Sequence, residues 1–147
     1  PISFLFPEKN PILTMTKHFI LLFPLLIAVA NGENHPFDIE IRPRIIDGAK
    51  VIVNVDVENG VKKPIDYLEG FISEFDGDGK FKNEKRLVIL YEYEPPLQPG
   101  FSATKSLIYP LEKEKPHTYE FRVSKVKFMS DARIFTWHKD AGFIRID

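Results

Sequence analysis

The sequence predicts an all-β protein, an antiparallel immunoglobulin-like β-sandwich of seven or eight strands that follows a cleaved signal peptide. Three observations carry this. Beyond an N-terminal apolar run, hydrophobic residues recur at every second position, the period of a strand with one buried face. Gly, Pro, Asn-Gly and Asp-Gly signals interrupt those runs at intervals of about ten residues, the spacing of short strands in a sandwich or barrel. No stretch after the leader repeats apolar residues at helical spacing.

The 147 residues are 44% hydrophobic and 28% charged, a balance that suits one compact domain. Lys and Arg number 20 against 21 Asp and Glu, so the net charge of -1 supplies no field to gather nucleic acid or an anionic membrane surface. Without cysteine there is no disulfide, no thiol nucleophile and no Cys-ligated zinc. The domain must then be held together by packing alone.

The chain opens on Pro1 and its first methionine is Met15, so residues 1–14 read as upstream or fragment sequence. Residues 15–30 read as a signal peptide. Lys17 and His18 give a short basic start, Phe19 to Ala30 is uncharged, and Ala28-Val29-Ala30 puts small residues at the cleavage position. The apolar run of 12 residues is short of the roughly 20 that a spanning helix needs, so no stable membrane span is expected after cleavage. Residues 31–147 are left as the sandwich domain. With neither Cys nor an Asn-x-Ser/Thr acceptor, a secreted or periplasmic protein is expected, and a bacterial periplasm in particular.

Phe37, Ile39 and Ile41 alternate with charged residues as a first strand that Pro43 ends or confines to an edge. In the next strand Val51, Val53, Val55 and Val57 share a face, and Asn59-Gly60 breaks it. Tyr67, Phe71 and Phe75 share a face of a third strand, with Gly70 marking a bulge or close approach, and Asp76-Gly77-Asp78-Gly79 turns it back. The returning strand holds Leu87, Ile89, Tyr91 and Tyr93 on one side and Val88 and Leu90 on the other, a two-sided pattern that predicts a central position. A proline-rich crossing from Glu94 to Gly100 leads to a strand from Phe101 to Tyr109. After a charged loop, Tyr119, Phe121 and Val123 form another, and 134–139 with 143–146 make a closing hairpin.

The Val-rich strand ending in Asn-Gly, the aromatic strand running into Phe75-Asp76-Gly77-Asp78-Gly79, and Leu97-Gln98-Pro99-Gly100 before Phe101 together resemble the small extracytoplasmic Ig-like modules of the FxLYD type. The likeness covers roughly residues 49–128. Before Asp76 this chain reads Ile72-Ser73-Glu74-Phe75 where the family has Phe-x-Leu-Tyr. The resemblance implies a fold and a location outside the cytoplasm, and no catalytic residue to carry over.

Chemical motifs are weak. Ser102-Ala103-Thr104-Lys105 spells Ser-x-x-Lys, but a strand sends residues three apart to opposite faces. Glu74, Asp76 and Asp78 are the available carboxylates for calcium, yet Lys80 and Phe81 occupy positions where an EF-hand loop needs an oxygen ligand and a glycine, so no metal site is assigned. No catalytic residue and no cofactor is expected either. The contact residues expected for a partner are Pro95, Pro96, Leu97 and Pro99 of the crossing loop, with Trp137 and His138 of the last hairpin. The expected function is that of an exported, non-enzymatic Ig-like module binding a protein or cell-envelope partner, with no nucleic acid. The alternative is a carbohydrate-binding or calcium-assisted module in which Trp137, Tyr91 and Tyr93 offer ring faces to a glycan.

Overall fold

The computed structural model describes residues 35–147; the leader expected at 15–30 and the segment before it lie outside the described residues. Eight strands follow one another: β1 (Phe37–Ile46), β2 (Lys50–Asn59), β3 (Ile65–Phe75), β4 (Phe81–Leu90), β5 (Ser102–Pro110), β6 (Thr118–Phe128), β7 (Phe135–His138) and β8 (Gly142–Arg145). They form two antiparallel sheets, one ordered β1-β2-β5 and the other β4-β3-β6-β7-β8. The chain changes sheet between β2 and β3, between β4 and β5, and between β5 and β6, so the fold is the immunoglobulin-like β-sandwich read from the sequence.

The inner face of the smaller sheet is built on the valines of β2. Val53, Val55 and Val57 are fully buried and Val51 nearly so. Their partners across the ladders are Ile39 and Ile41 on β1 and Ala103 and Leu107 on β5. The facing sheet supplies Ile65, Leu68 and Ile72 of β3, Ile89 of β4 and Val126 of β6, all fully buried. Each such side chain contributes about 1.5–3 kcal/mol by leaving water. Pro43 lies within β1 without ending it, as an edge strand permits. Asp47 and Gly48, both at positive φ, close the β1–β2 hairpin in the turn that suits strand twist.

Two expectations are corrected. The face of β3 that carries Tyr67, Phe71 and Phe75 is the outer one; Leu68, Gly70, Ile72 and Glu74 point inward, opposite Val126, Val123, Phe121 and Tyr119 of β6. The extra residue Asp66 resets the alternation of β3 after Ile65, and the extra residue Ser124 does the same for β6 opposite Glu69 and Gly70. Gly70 does mark a close approach, since a Cβ there would run into the Phe121 ring and the Arg122 carbonyl. The second correction concerns β4, which is an edge strand and stops at Leu90. Tyr91 and Tyr93 therefore belong to the connection that follows.

Asn59 ties that connection to the sandwich. Its buried amide donates to the Lys63 carbonyl at 2.9 Å and the Leu97 carbonyl at 3.0 Å, and its Oδ1 accepts from the Val61 N–H at 2.9 Å. Three backbone groups of two crossings thus find partners in one side chain. Replacing Asn59 by Ala leaves them unpaired, and urea unfolding should show a loss of about 2–4 kcal/mol with the denaturant slope unchanged.

On the outer face of the larger sheet, Glu69 is buried beneath its own partners. Its Oε2 accepts from the Arg86 guanidinium at 2.6–2.7 Å and from the Tyr67 hydroxyl at 2.5 Å, while Lys125 stands 3.5 Å from Oε1. Burial pushes this carboxyl up, but the bonds from Arg86 and Tyr67 and the charge of Lys125 outweigh it and hold the group below the usual carboxylate range. A lowered folded-state value adds stability above the unfolded pKa and loses it as pH falls through the folded one. Glu69→Gln should accordingly be less stable than the parent near neutrality, with the difference in thermal midpoint shrinking below about pH 4.

Candidate functional site

The residues from Tyr91 to Phe101 connect the two sheets at one end of the sandwich. Three prolines deny the segment a place in a ladder, so it has to be fixed by other bonds. Leu97, buried in the core, exchanges backbone hydrogen bonds with Ile65 at 2.8 and 3.0 Å. Gly100, at a φ of 79°, donates to the Asn59 carbonyl at 2.7 Å, and Asn59 donates back to the Phe101 carbonyl at 2.9 Å. Glu94 accepts from the Tyr91 N–H at 2.8 Å and from Lys105 Nζ at 2.8 Å. The bond from Lys105, then that from the Tyr91 backbone, lowers the Glu94 carboxyl.

This scaffold displays aromatic surface. The Tyr91 and Tyr93 rings stack at 5.0 Å between centroids with planes 14° apart. Tyr93 is 82% exposed and Phe101 66%. The Lys105 ammonium lies 5.9 Å from the Tyr91 centroid, within the range of a cation–π contact, and so steadies the ring from the side of Glu94.

The residues singled out from the sequence are placed unevenly. Pro95 and Pro99 are exposed and Pro96 half-buried, on the same loop as the stacked tyrosines. Leu97 is an anchor, with its side chain in the core. Trp137 is half-buried, packs against the core, and its ring centroid stands 4.2 Å from that of His35. His138 is exposed and its Nδ1 accepts from the Asp140 N–H at 3.2 Å. As neighbours on β7 the two point to opposite faces and do not share one spot. Of the three proposed glycan-facing rings, two come together, and Trp137 packs instead against His35, the two planes tilted by 58°. The sequence predicts a strand from Phe101, whereas β5 begins at Ser102; Phe101 follows Gly100, whose φ of 79° is left-handed, and belongs to the loop.

Glu74, Asp76 and Asp78 do not converge. Glu74 turns inward, where its Oε1 pairs with His117 Nδ1 at 2.6 Å and its Oε2 accepts from Asn83 Nδ2 at 3.0 Å. Asp76 Oδ1 accepts from the backbone N–H groups of Asp78 and Lys80, both at 2.9 Å. The Lys80 bond is the chief reason its carboxyl lies low. Asp78 pairs with Lys115 at 2.5 Å. Among the described residues no group of His, Cys, Asp and Glu is arranged to hold a metal ion. Ser102 stands in the outward row with Glu58, and Lys105 in the inward row with Val55, so the Ser-x-x-Lys spacing assembles no hydroxyl–amine pair.

No family model and no curated protein sequence matches the chain. A crystal structure of a Bordetella pertussis protein bearing the provisional name ApaA superimposes on 76% of this chain and 88% of its own, at a TM-score of 0.50 and 16% identity. What that similarity establishes is the fold, a β-sandwich shared by two sequences that have little else in common.

Proposed function

We propose that this chain is an exported, non-enzymatic immunoglobulin-like module that binds a protein or cell-envelope partner through the connection from Tyr91 to Phe101. One observation carries the reading: Tyr93 and Phe101 are exposed on a segment that Asn59, Leu97 and Glu94 hold in a single conformation. Large exposed rings on a pre-ordered loop are what hot spots are made of, because little side-chain freedom is lost on contact. Export and location outside the cytoplasm rest on the leader pattern at 15–30 and on the resemblance to FxLYD-type modules. Pro95 and Pro99 extend the apolar surface beside the rings.

The test begins with capture of a partner from an envelope extract by the immobilised chain and its identification by mass spectrometry. Direct titration of the purified pair follows. Tyr93→Ala and Phe101→Ser should each weaken binding about tenfold or more, with Asp78→Asn without effect. A partner that binds the loop variants as tightly as the parent would refute the assignment.

A second reading has its own support in the 14° angle between the Tyr91 and Tyr93 planes. Near-parallel exposed rings suit the flat face of a sugar, and the alternative ligand is then a glycan. Calorimetry with cell-wall oligosaccharides would give a saturable heat that Tyr93→Ala abolishes. Absence of heat across neutral and acidic glycans removes this reading and leaves the protein partner.

A further inference from the structure

On one side of the sandwich the two sheets differ in length. β1 runs for ten residues, while β7 and β8 of the facing sheet offer four each. Only one half of β1 is therefore covered. Phe37, at the covered end, is 2% exposed and meets Phe143 of β8 edge-on, whereas Ile45, in the same inward row at the far end, is 59% exposed. Beside Ile45 a cavity of about 500 Å3 is walled by Pro43, Val51, Leu111 and Tyr119.

The facing sheet is open at the same place. β7 meets β6 at Phe135 opposite Val126, and four residues running antiparallel from there reach no further than the level of Val123. β6 begins earlier, at Thr118. Among the described residues, Thr118 to Arg122 pair with β3 on one edge, have no strand on the other, and receive no backbone bond from a turn or loop. Such an edge is a template for another chain. Tyr119 belongs to both features, so the unpaired edge and the apolar hollow adjoin.

We propose that an extended segment of a partner protein adds as an antiparallel strand to the Thr118–Arg122 edge of β6, seating alternate apolar side chains in the hollow. In strand addition the main-chain bonds supply affinity and the pockets under alternate side chains supply selectivity. Tyr119 and Phe121 face inward, so the guest residues opposite them enter the hollow, where apolar side chains take Ile45 and Leu111 out of water. Outside, Glu120 and Arg122 make no ion pair among the described residues. Opposite charge is favoured across from each, because like charges facing one another destabilise a ladder. From its N-terminus the guest therefore reads acidic, apolar, basic, apolar, paired in turn with Arg122, Phe121, Glu120 and Tyr119. The other edges are poorer hosts. Lys85 of β4 and Lys105 of β5 point inward, a device that discourages strand addition, Pro43 removes a donor from β1, and β8 is short. A small apolar ligand would fill the hollow yet leave the β6 edge unpaired, and so matches half of the site.

Amide chemical shifts of the isotopically labelled full chain, titrated with the acetylated and amidated peptide Thr-Glu-Val-Lys-Val-Thr, test this. Amides from Thr118 to Arg122 should shift saturably, and Tyr93→Ala should leave the binding intact. Two further peptides report on the backbone, one N-methylated on Glu and Lys and the other on both Val residues. Only alternate N–H groups of an added strand face β6, so one of these should bind about tenfold more weakly and the other like the parent. Glu120→Lys should weaken binding about threefold, and replacing the peptide Lys by Glu should restore it. Ile45→Glu, which sets a carboxylate in the wall, should abolish binding; circular dichroism confirms that it is folded, and Leu111→Gln replaces it if it is not. No saturable shift, equal affinity for the two N-methylated peptides, or full binding by the wall variant overturns the proposal. Binding of decanol with no response to the peptide would make the hollow a small-molecule site and overturns it as well.

Discussion

The row of valines on one face of β2 is the constraint from which the rest of the structure follows. Val51, Val53, Val55 and Val57 lie in the middle strand of a three-stranded sheet, hydrogen-bonded to β1 on one side and β5 on the other. A slip of one residue in either ladder would carry all four to the solvent face, at about 1.5–3 kcal/mol for each, so the register has no near competitor. That single choice places the Asp47-Gly48 turn at one end of the strand and Asn59 at the other. In a chain with no cysteine, such packing does the work a disulfide would do between the sheets. The loop that displays Tyr93 and the hairpin that walls the cavity are therefore positioned by the same ten-residue strand.

Strands whose alternation stays in phase were legible in the sequence. β1, β2, β5 and the β7–β8 hairpin keep their phase from end to end, and polar residues mark most of the outer faces of β1, β2 and β5, with Ile52 and Ile108 out of pattern. β3 does not. An irregularity beside Asp66 shifts its phase, and its inner row includes Gly70 and Glu74 while Tyr67, Phe71 and Phe75 stand outside. Aromatic content pointed to the wrong face because hydrophobicity alone cannot weigh a glycine required by Phe121 or a carboxylate satisfied by His117 and Asn83. In β4 the run from Leu87 to Leu90 is buried on both sides, which is what a central strand looks like. Its true end is set by one hydrogen bond invisible to periodicity, the Glu94 carboxylate accepting from the Tyr91 N–H.

The candidate surfaces were legible in the same uneven way. Proline content correctly marked the Tyr91–Phe101 connection as a crossing, and it placed Pro95 and Pro99 at the surface. It could not tell that Leu97 is the residue that nails the crossing down, because burial of one loop side chain depends on Ile65, over thirty positions earlier. The stacking of Tyr91 on Tyr93 was likewise hidden: residues two apart would share a strand face, but the turn between them is what brings their planes parallel. The apolar cavity draws on β1, β2, β5 and β6 and has no local signature at all.

The outer face of the smaller sheet shows how little the fold leans on charge. Asp38 lies directly opposite Glu58 and Glu40 opposite Asp56, two like-charged pairs in a position that destabilises a ladder. The valine row beneath tolerates them, since a few tenths of a kcal/mol per pair is small against the burial of four side chains. The same inequality governs the two ends of the molecule. β2 spans about 30 Å at the rise of an extended strand, with close-packed valines along its whole length. Paired on both edges and packed on one face, the strand ties the Asp47-Gly48 turn at one end and Asn59 at the other to a single register.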